Sequence, residues 1–214
     1  RQMDFEIIKP ADIEKRSFAI ITEELGDRVF PEEIGLVVKR VIHTSADFDY
    51  ADNLVFSEGA VPRALEAIRN GAHIVTDTNM VKAGINKKTL AKFGGEVHCF
   101  VADADVAEEA KQRGVTRSTV SMERAAKLDV PVIFAIGNAP TALIELDRLM
   151  REQDLKPELI IGVPVGFVNV VESKELILQS QAPHIVARGR KGGSNVAAAI
   201  VNALLYQLVH REGF

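Results

Sequence analysis

Val132-Ile133-Phe134-Ala135-Ile136-Gly137-Asn138-Ala139-Pro140-Thr141 starts as an unbroken apolar run, turns through a glycine and a proline, and opens a polar-faced helix from Thr141 to Glu152. A second apolar run, Leu159 to Val163, follows it. Short apolar runs alternating with amphipathic helical stretches are the pattern of a mostly parallel sheet with helices on both faces. Working outward, the same alternation predicts strands at Leu54 to Phe56, His73 to Thr76, Glu96 to Phe100 and His184 to Ala187. The clearest helix runs from Pro31 to Ile42. Pro31 suits a first turn, Glu32 and Glu33 favour its positive end, and Ile34, Val37, Val38, Val41 and Ile42 line one face. Further helices are predicted from about Asp12 to Leu25, from Ala60 to Asn70 with Gly71 as a left-handed cap, and from Asp103 to Arg113. The last, Asn195 to Val209, is apolar on most sides and so must be buried in the core or against a second subunit. The fold class is α/β, Rossmann-like and doubly wound.

The 214 residues, 47% hydrophobic and 26% charged, suffice for a substantial core and read most simply as one domain over 1–214. No apolar run approaches the roughly 20 residues that span a bilayer, and Arg1 to Pro10 lack the apolar stretch of a signal peptide. The expected location is the cytoplasm, with no membrane partner. The single cysteine, Cys99, excludes an intramolecular disulfide and a zinc knuckle. A net charge of -4 without a basic tract argues against a nucleic-acid partner, because counterion release needs clustered Lys and Arg. An anionic ligand must be met by a local pocket of positive charge.

In doubly wound sheets, ligands bind outside the carboxyl ends of the strands. There the segment Arg188-Gly189-Arg190-Lys191-Gly192-Gly193-Ser194-Asn195 follows a strand and opens the final helix. Glycines that free the backbone, three cationic side chains and a helix N-terminus together make an anion cradle, although a capping turn with solvated basic residues has the same ingredients. Its spacing matches neither the P-loop nor the dinucleotide fingerprint. The loop Ile161-Gly162-Val163-Pro164-Val165-Gly166-Phe167-Val168-Asn169 fits a wall for a large flat ligand, or a buried turn. His43 ends the helix from Pro31, where the helix dipole favours a cationic imidazole with a proton to donate and where Asp47 and Asp49 would add to the effect. By position alone a helix-capping histidine is the simpler account. His73, His98 and His184 belong to strands and show no metal-ligand spacing, so packing is their expected role and no metal site is predicted.

Several separated segments resemble precorrin-8X methylmutase, also called precorrin isomerase. They are Ile13-Glu14-Lys15-Arg16-Ser17-Phe18, Arg40-Val41-Ile42-His43-Thr44-Ser45, Gly137-Asn138-Ala139-Pro140-Thr141-Ala142-Leu143, Gly162-Val163-Pro164-Val165-Gly166-Phe167-Val168 and Gly189-Arg190-Lys191-Gly192-Gly193-Ser194, with Glu172-Ser173-Lys174-Glu175 beside them. The resemblance runs in order from about residue 7 to residue 208. It implies an α/β homodimer with active sites near the subunit interface, which would also account for the apolar final helix. The implied reaction moves the methyl at ring carbon 11 of precorrin-8X to ring carbon 12, giving hydrogenobyrinic acid, or converts cobalt-precorrin-8 to cobyrinic acid.

His43 matches the family's catalytic histidine, and its acid role requires neither cofactor nor metal. A corrin precursor carries several carboxylate arms, so its rim needs cations and N–H donors and its face needs apolar walls. On the resemblance, Gly189, Arg190, Lys191, Gly192 and Gly193 hold carboxylates, as do Arg117 and Ser118. Ser17 matches a substrate-contacting serine, and Arg40 and Thr44 flank the histidine. Arg16 and Arg188 fit a solvated arginine as well as a contact. Thr76-Asp77-Thr78-Asn79-Met80 departs from the family's usual run, and no site role is carried onto it. Two other readings compete with the isomerase. One is a corrinoid-binding or carrier module, which has no need of a positioned acid. The other is a nucleotide-dependent transferase, which would need a phosphate loop.

Overall fold

The computed structural model describes residues 3–209. A short 3-10 turn, Pro10–Asp12, leads into α1 (Ile13–Leu25), then α2 (Glu32–Ser45), α3 (Tyr50–Asn53) and β1 (Leu54–Phe56). Next come α4 (Ala60–Arg69), β2 (His73–Thr76), α5 (Asn79–Gly84), α6 (Lys87–Ala91), β3 (Val97–His98), α7 (Ala104–Arg113) and α8 (Arg117–Ala125). The remainder is β4 (Val132–Ile136), α9 (Pro140–Gln153), β5 (Leu159–Gly162), α10 (Val170–Leu178), β6 (His184–Ala187) and α11 (Ser194–Tyr206).

The six strands form one sheet in the order β1-β6-β5-β4-β2-β3. All neighbours are parallel except β1 and β6, which run antiparallel. This is the expected α/β architecture with an antiparallel edge. Because side chains alternate along a strand, each central strand feeds two cores. Ile133, Ala135, Ile161, Ile185 and Ala187 face the helices α1, α2, α4 and α11. Phe134, Ile136, Ile160 and Val186 face α8, α9 and α10. Burial on both faces explains why β4, β5 and β6 are apolar without a break.

In α2, Val37, Val38, Val41 and Ile42 are buried, and full burial of each such side chain contributes about 1.5–3 kcal/mol. The helix runs to Ser45 and is capped by left-handed Ala46, so His43 lies inside its last turn. α11 packs on α2, α5 and the sheet, so its apolar surface is buried within this one chain. The last helix ends at Tyr206 rather than Val209, and His210 lies outside the described residues. Edge strand β3 is shorter than predicted, because β2 pairs with it only through Ile74 and Val75. The short helices α3, α5 and α6 escaped prediction because tertiary contacts rather than a long apolar stripe hold them, and α8 and α10 were not predicted although each buries one face.

Candidate active site

The loops that follow β4, β5 and β6 meet at the carboxyl end of the sheet. Gly193 N–H donates to Val163 O at 2.9 Å and Gly166 N–H to Arg190 O at 3.0 Å. A Cβ on Gly192 would stand 2.1 Å from Val163 O, and one on Gly137 would stand 2.8 Å from Gly193 O. These glycines are required because backbone lies directly against backbone. Two motifs separated in sequence are thus one piece of structure.

Beneath the glycine loop lies Lys174, 1% exposed. Its ammonium donates to Gly189 O at 2.7 Å and to Lys191 O at 2.9 Å. Burial pushes its pKa down to about 8. Sequence reasoning noted the Glu172-Ser173-Lys174-Glu175 segment but missed this role. The available signal was that Val170, Ser173, Lys174 and Ile177, all buried, share one stripe of α10 at helical spacing.

On the outer rim, Lys191 Nζ lies 2.7 Å from Asp47 Oδ2 and 2.7 Å from Asp49 Oδ2. The two carboxylates expected to act on His43 are therefore engaged by the lysine expected to meet substrate. The Lys191 hydrogen bond holds the Asp47 carboxyl below its ordinary range, and Asp47 and then Asp49 raise the lysine. This ion pair ties the glycine loop to the segment that follows His43. A second fastening, from Arg188 N–H to Asn53 O at 2.9 Å, joins the same two regions.

The His43 ring is on the exposed side of α2, 5.3 Å from the Phe18 ring of α1 and tilted 38° to it. Thr44 beside it is exposed. Arg40, one turn earlier, donates to Glu14 at 2.5 Å and lies over the rings of Phe18 at 5.0 Å and Tyr206 at 4.8 Å. Its guanidinium therefore bolts α1 to α2 and to the end of α11, combining an ion pair with two cation–π contacts. Ser17 Oγ donates to Ile13 O at 3.0 Å within α1. The seam between α1 and α2 sets Phe18, the neighbour of Ser17 in sequence, against His43.

Arg190 is exposed, with its guanidinium 5.2 Å over the Phe167 ring. Phe167, 76% exposed, and its neighbours Val165 and Val168 make an apolar rim beside the cationic one. Gly193 N–H is already bonded to Val163 O, so an anion must be met by other N–H groups of the loop and by the first turn of α11, at Ser194 and Asn195. Arg188 pairs with Glu175 at 3.5 Å and Arg16 with Glu6 at 2.7 Å, both exposed, which matches the solvated alternative for these two arginines.

Arg117 and Ser118 begin α8, Arg117 exposed and Ser118 buried. Thr116 Oγ1 donates to Thr141 Oγ1 at 3.0 Å, which holds this end of α8 beside the start of α9 at the same edge. α8 packs on the opposite face of the sheet from α2, which carries His43. The candidate site is accordingly a strip that crosses the carboxyl edge.

The strand order reverses between β2 and β4, the crevice where doubly wound sheets bind ligands. Here that crevice is closed by Asp77, 1% exposed, whose carboxylate accepts from the N–H groups of Gly137 (2.9 Å), Asn138 (2.8 Å) and Ala139 (2.7 Å). Burial pushes the Asp77 carboxyl up while these three donors pull it back. The residue from which no site role was carried over is a brace for the turn after β4. The strip can therefore hold a large polyanion at its rim and present one imidazole to it.

Comparison with known proteins adds four likenesses. The family model described as CbiC: Precorrin-8X methylmutase matches residues 12–207. A cobalt-precorrin-8 methylmutase of Priestia megaterium is 48% identical over 92% of this chain and 88% of its own, and one of Salmonella typhimurium is 46% identical over 94% and 97%. The crystal structure of a precorrin-8x methyl mutase from Thermus thermophilus superposes with a TM-score of 0.83 at 39% identity, covering 91% of this chain and 96% of that one.

Proposed function

The chain belongs to the precorrin-8X methylmutase family, and on that premise we propose that His43 is the general acid of the methyl shift. The enzyme is an isomerase of cobalamin biosynthesis that moves a methyl group within one corrin precursor, from ring carbon 11 to ring carbon 12. The observation that carries the proposal for His43 is its place. It is an exposed imidazole in the last turn of α2, against Phe18, just before the segment that Lys191 ties to the glycine loop. Protonation of the macrocycle near the migrating centre makes the conjugated system more electron-poor, which favours migration of the methyl group.

The carboxylate arms are met by Arg190, by Arg117 with Ser118, and by the N–H donors of Gly189, Gly192 and the first turn of α11, which Gly193 positions. Lys191 has three N–H donors and uses two on Asp47 and Asp49, which leaves one for an arm. Ser17 and Thr44 contact the ring system near the acid, and Arg40 contributes by holding the helix seam. Phe167, Val165 and Val168 supply the apolar wall. The whole chain acts as one domain, in the cytoplasm; no helix among the described residues is long and apolar enough to cross a membrane. The family resemblance supports a homodimer, for which exposed Ile13, Ile20 and Leu36 on α1 and α2 offer apolar surface. The identities to cobalt-precorrin-8 methylmutases favour the cobalt-containing substrate.

The test is a time course of visible absorption with substoichiometric enzyme and cobalt-precorrin-8 or precorrin-8X. Conversion to the corrin spectrum is expected, faster with the cobalt form. His43→Ala should slow turnover by about 10²- to 10⁴-fold while binding stays within about tenfold. Near-normal turnover in that variant would remove His43 from the mechanism.

A further inference from the structure

His73 opens β2 and His98 ends β3, and the register of the two strands pairs Ile74 with Val97 and Val75 with His98. One step back in that register, His73 stands opposite Glu96. Residues opposite one another share a face, and so do residues two apart on one strand, so His73, Glu96 and His98 project from the same face. The side chains meet there. His73 Nδ1 lies 2.8 Å from His98 Nε2, the two rings stack at 5.1 Å, and His98 stacks in turn on Phe100 at 5.8 Å. One ligand atom from each of His73, Glu96 and His98 lies within 4.8 Å of the others.

We propose that His73, Glu96 and His98 bind one divalent metal ion of the zinc class, with water completing the coordination. Two imidazoles and a carboxylate are a donor set that suits zinc and its neighbours. With Zn–N bonds of about 2.0–2.1 Å, tetrahedral geometry sets two ring nitrogens about 3.3 Å apart, so the rings must part by about half an ångström and turn both nitrogens toward the ion, the proton they share moving to an outer ring nitrogen or to solvent. The stack on Phe100 orients His98, and β3 is an edge strand, with Glu96 exposed on the side from which an ion would enter. The site lies at the strand pair's outer edge, away from the glycine loop after β6, and is independent of the corrin reading.

Calorimetric titration of Zn²⁺ into the metal-stripped full chain tests it. One ion per chain should bind, with the imidazole signals of His73 and His98 shifting in NMR spectra. His98→Phe keeps a ring in the stack and removes a ligand; Glu96→Gln alters only an exposed position. Loss of even an outer partner of a metal ligand costs about 10- to 100-fold in affinity, so each variant should lose at least about tenfold. Absence of saturable binding overturns the proposal, and so does binding that both variants retain or that shifts the signals of His43 and His184 instead.

Discussion

The glycine loop is fastened on two sides by lysines that work in opposite ways. Lys174 is buried under it, bonded to two backbone carbonyls, and lowered to about 8 by burial. Lys191 lies on the rim, about half exposed, bonded to two carboxylates and raised by them. Backbone carbonyls cannot leave the inner lysine, so that side defines the loop's shape. The outer ion pair is open to water and salt, so that side can exchange partners with an incoming carboxylate. A loop that must be rigid yet receive an anion uses one fastening of each kind.

The largest stability effect should come from the inner side. Lys174→Ala leaves two carbonyls without their donor at about 1–3 kcal/mol each and removes a packed stem, so a loss near 3 kcal/mol is expected in urea unfolding, together with loss of corrin binding. Gly192→Ala attacks the same side sterically. Its Cβ would lie 2.1 Å from Val163 O, and the overpacking should cost about 1–3 kcal/mol in the same assay. Unchanged stability in both variants would erase the distinction between the two sides.

A pH series sharpens the contrast. The folded value of Lys174, about 8, lies below its ordinary 10.5, so between these values the native chain binds fewer protons than the unfolded one. This residue's contribution therefore rises from about pH 8 to 10.5 and is lost as pH falls through that window. Over the same interval the loop loses a positive charge, so affinity for the polyanionic substrate should decline as stability rises. Lys174→Met should remove this residue's share of both slopes. The rim responds at the other end of the scale. Asp47 is held below its ordinary 3.8, so its contribution is present above that value and is lost as pH falls through the lower folded one. Smallest of all, Lys191→Ala should barely change stability but weaken substrate binding, and the difference from the parent should shrink at high salt.

Much of this arrangement is legible in the sequence where the physics is local. Four strands, at Leu54–Phe56, His73–Thr76, Val132–Ile136 and His184–Ala187, appear as read, because an apolar run bounded by turn residues carries its own signal. The motifs of the candidate site are equally visible, since glycine and proline mark close approaches and turns. Lys174 is harder to see. It looks like any helical lysine unless the stripe of Val170, Ser173 and Ile177 is traced first. Asp77 gave no local hint, because its three donors are sixty residues away in the turn after β4.

What the sequence by itself determined is the α/β alternation, the buried faces of α2 and α11, and the identity of the segments that make the site, all properties of periodicity and backbone chemistry over a few residues. Only the tertiary structure decided the partners of the charged and titratable groups. Lys191 with Asp47 and Asp49, Arg40 with Glu14 and two rings, Asp77 with a turn, and His73 with His98 each join residues brought together by strand order and helix packing. A charge acts over a few ångströms of space, and sequence distance carries no measure of that until the core has formed.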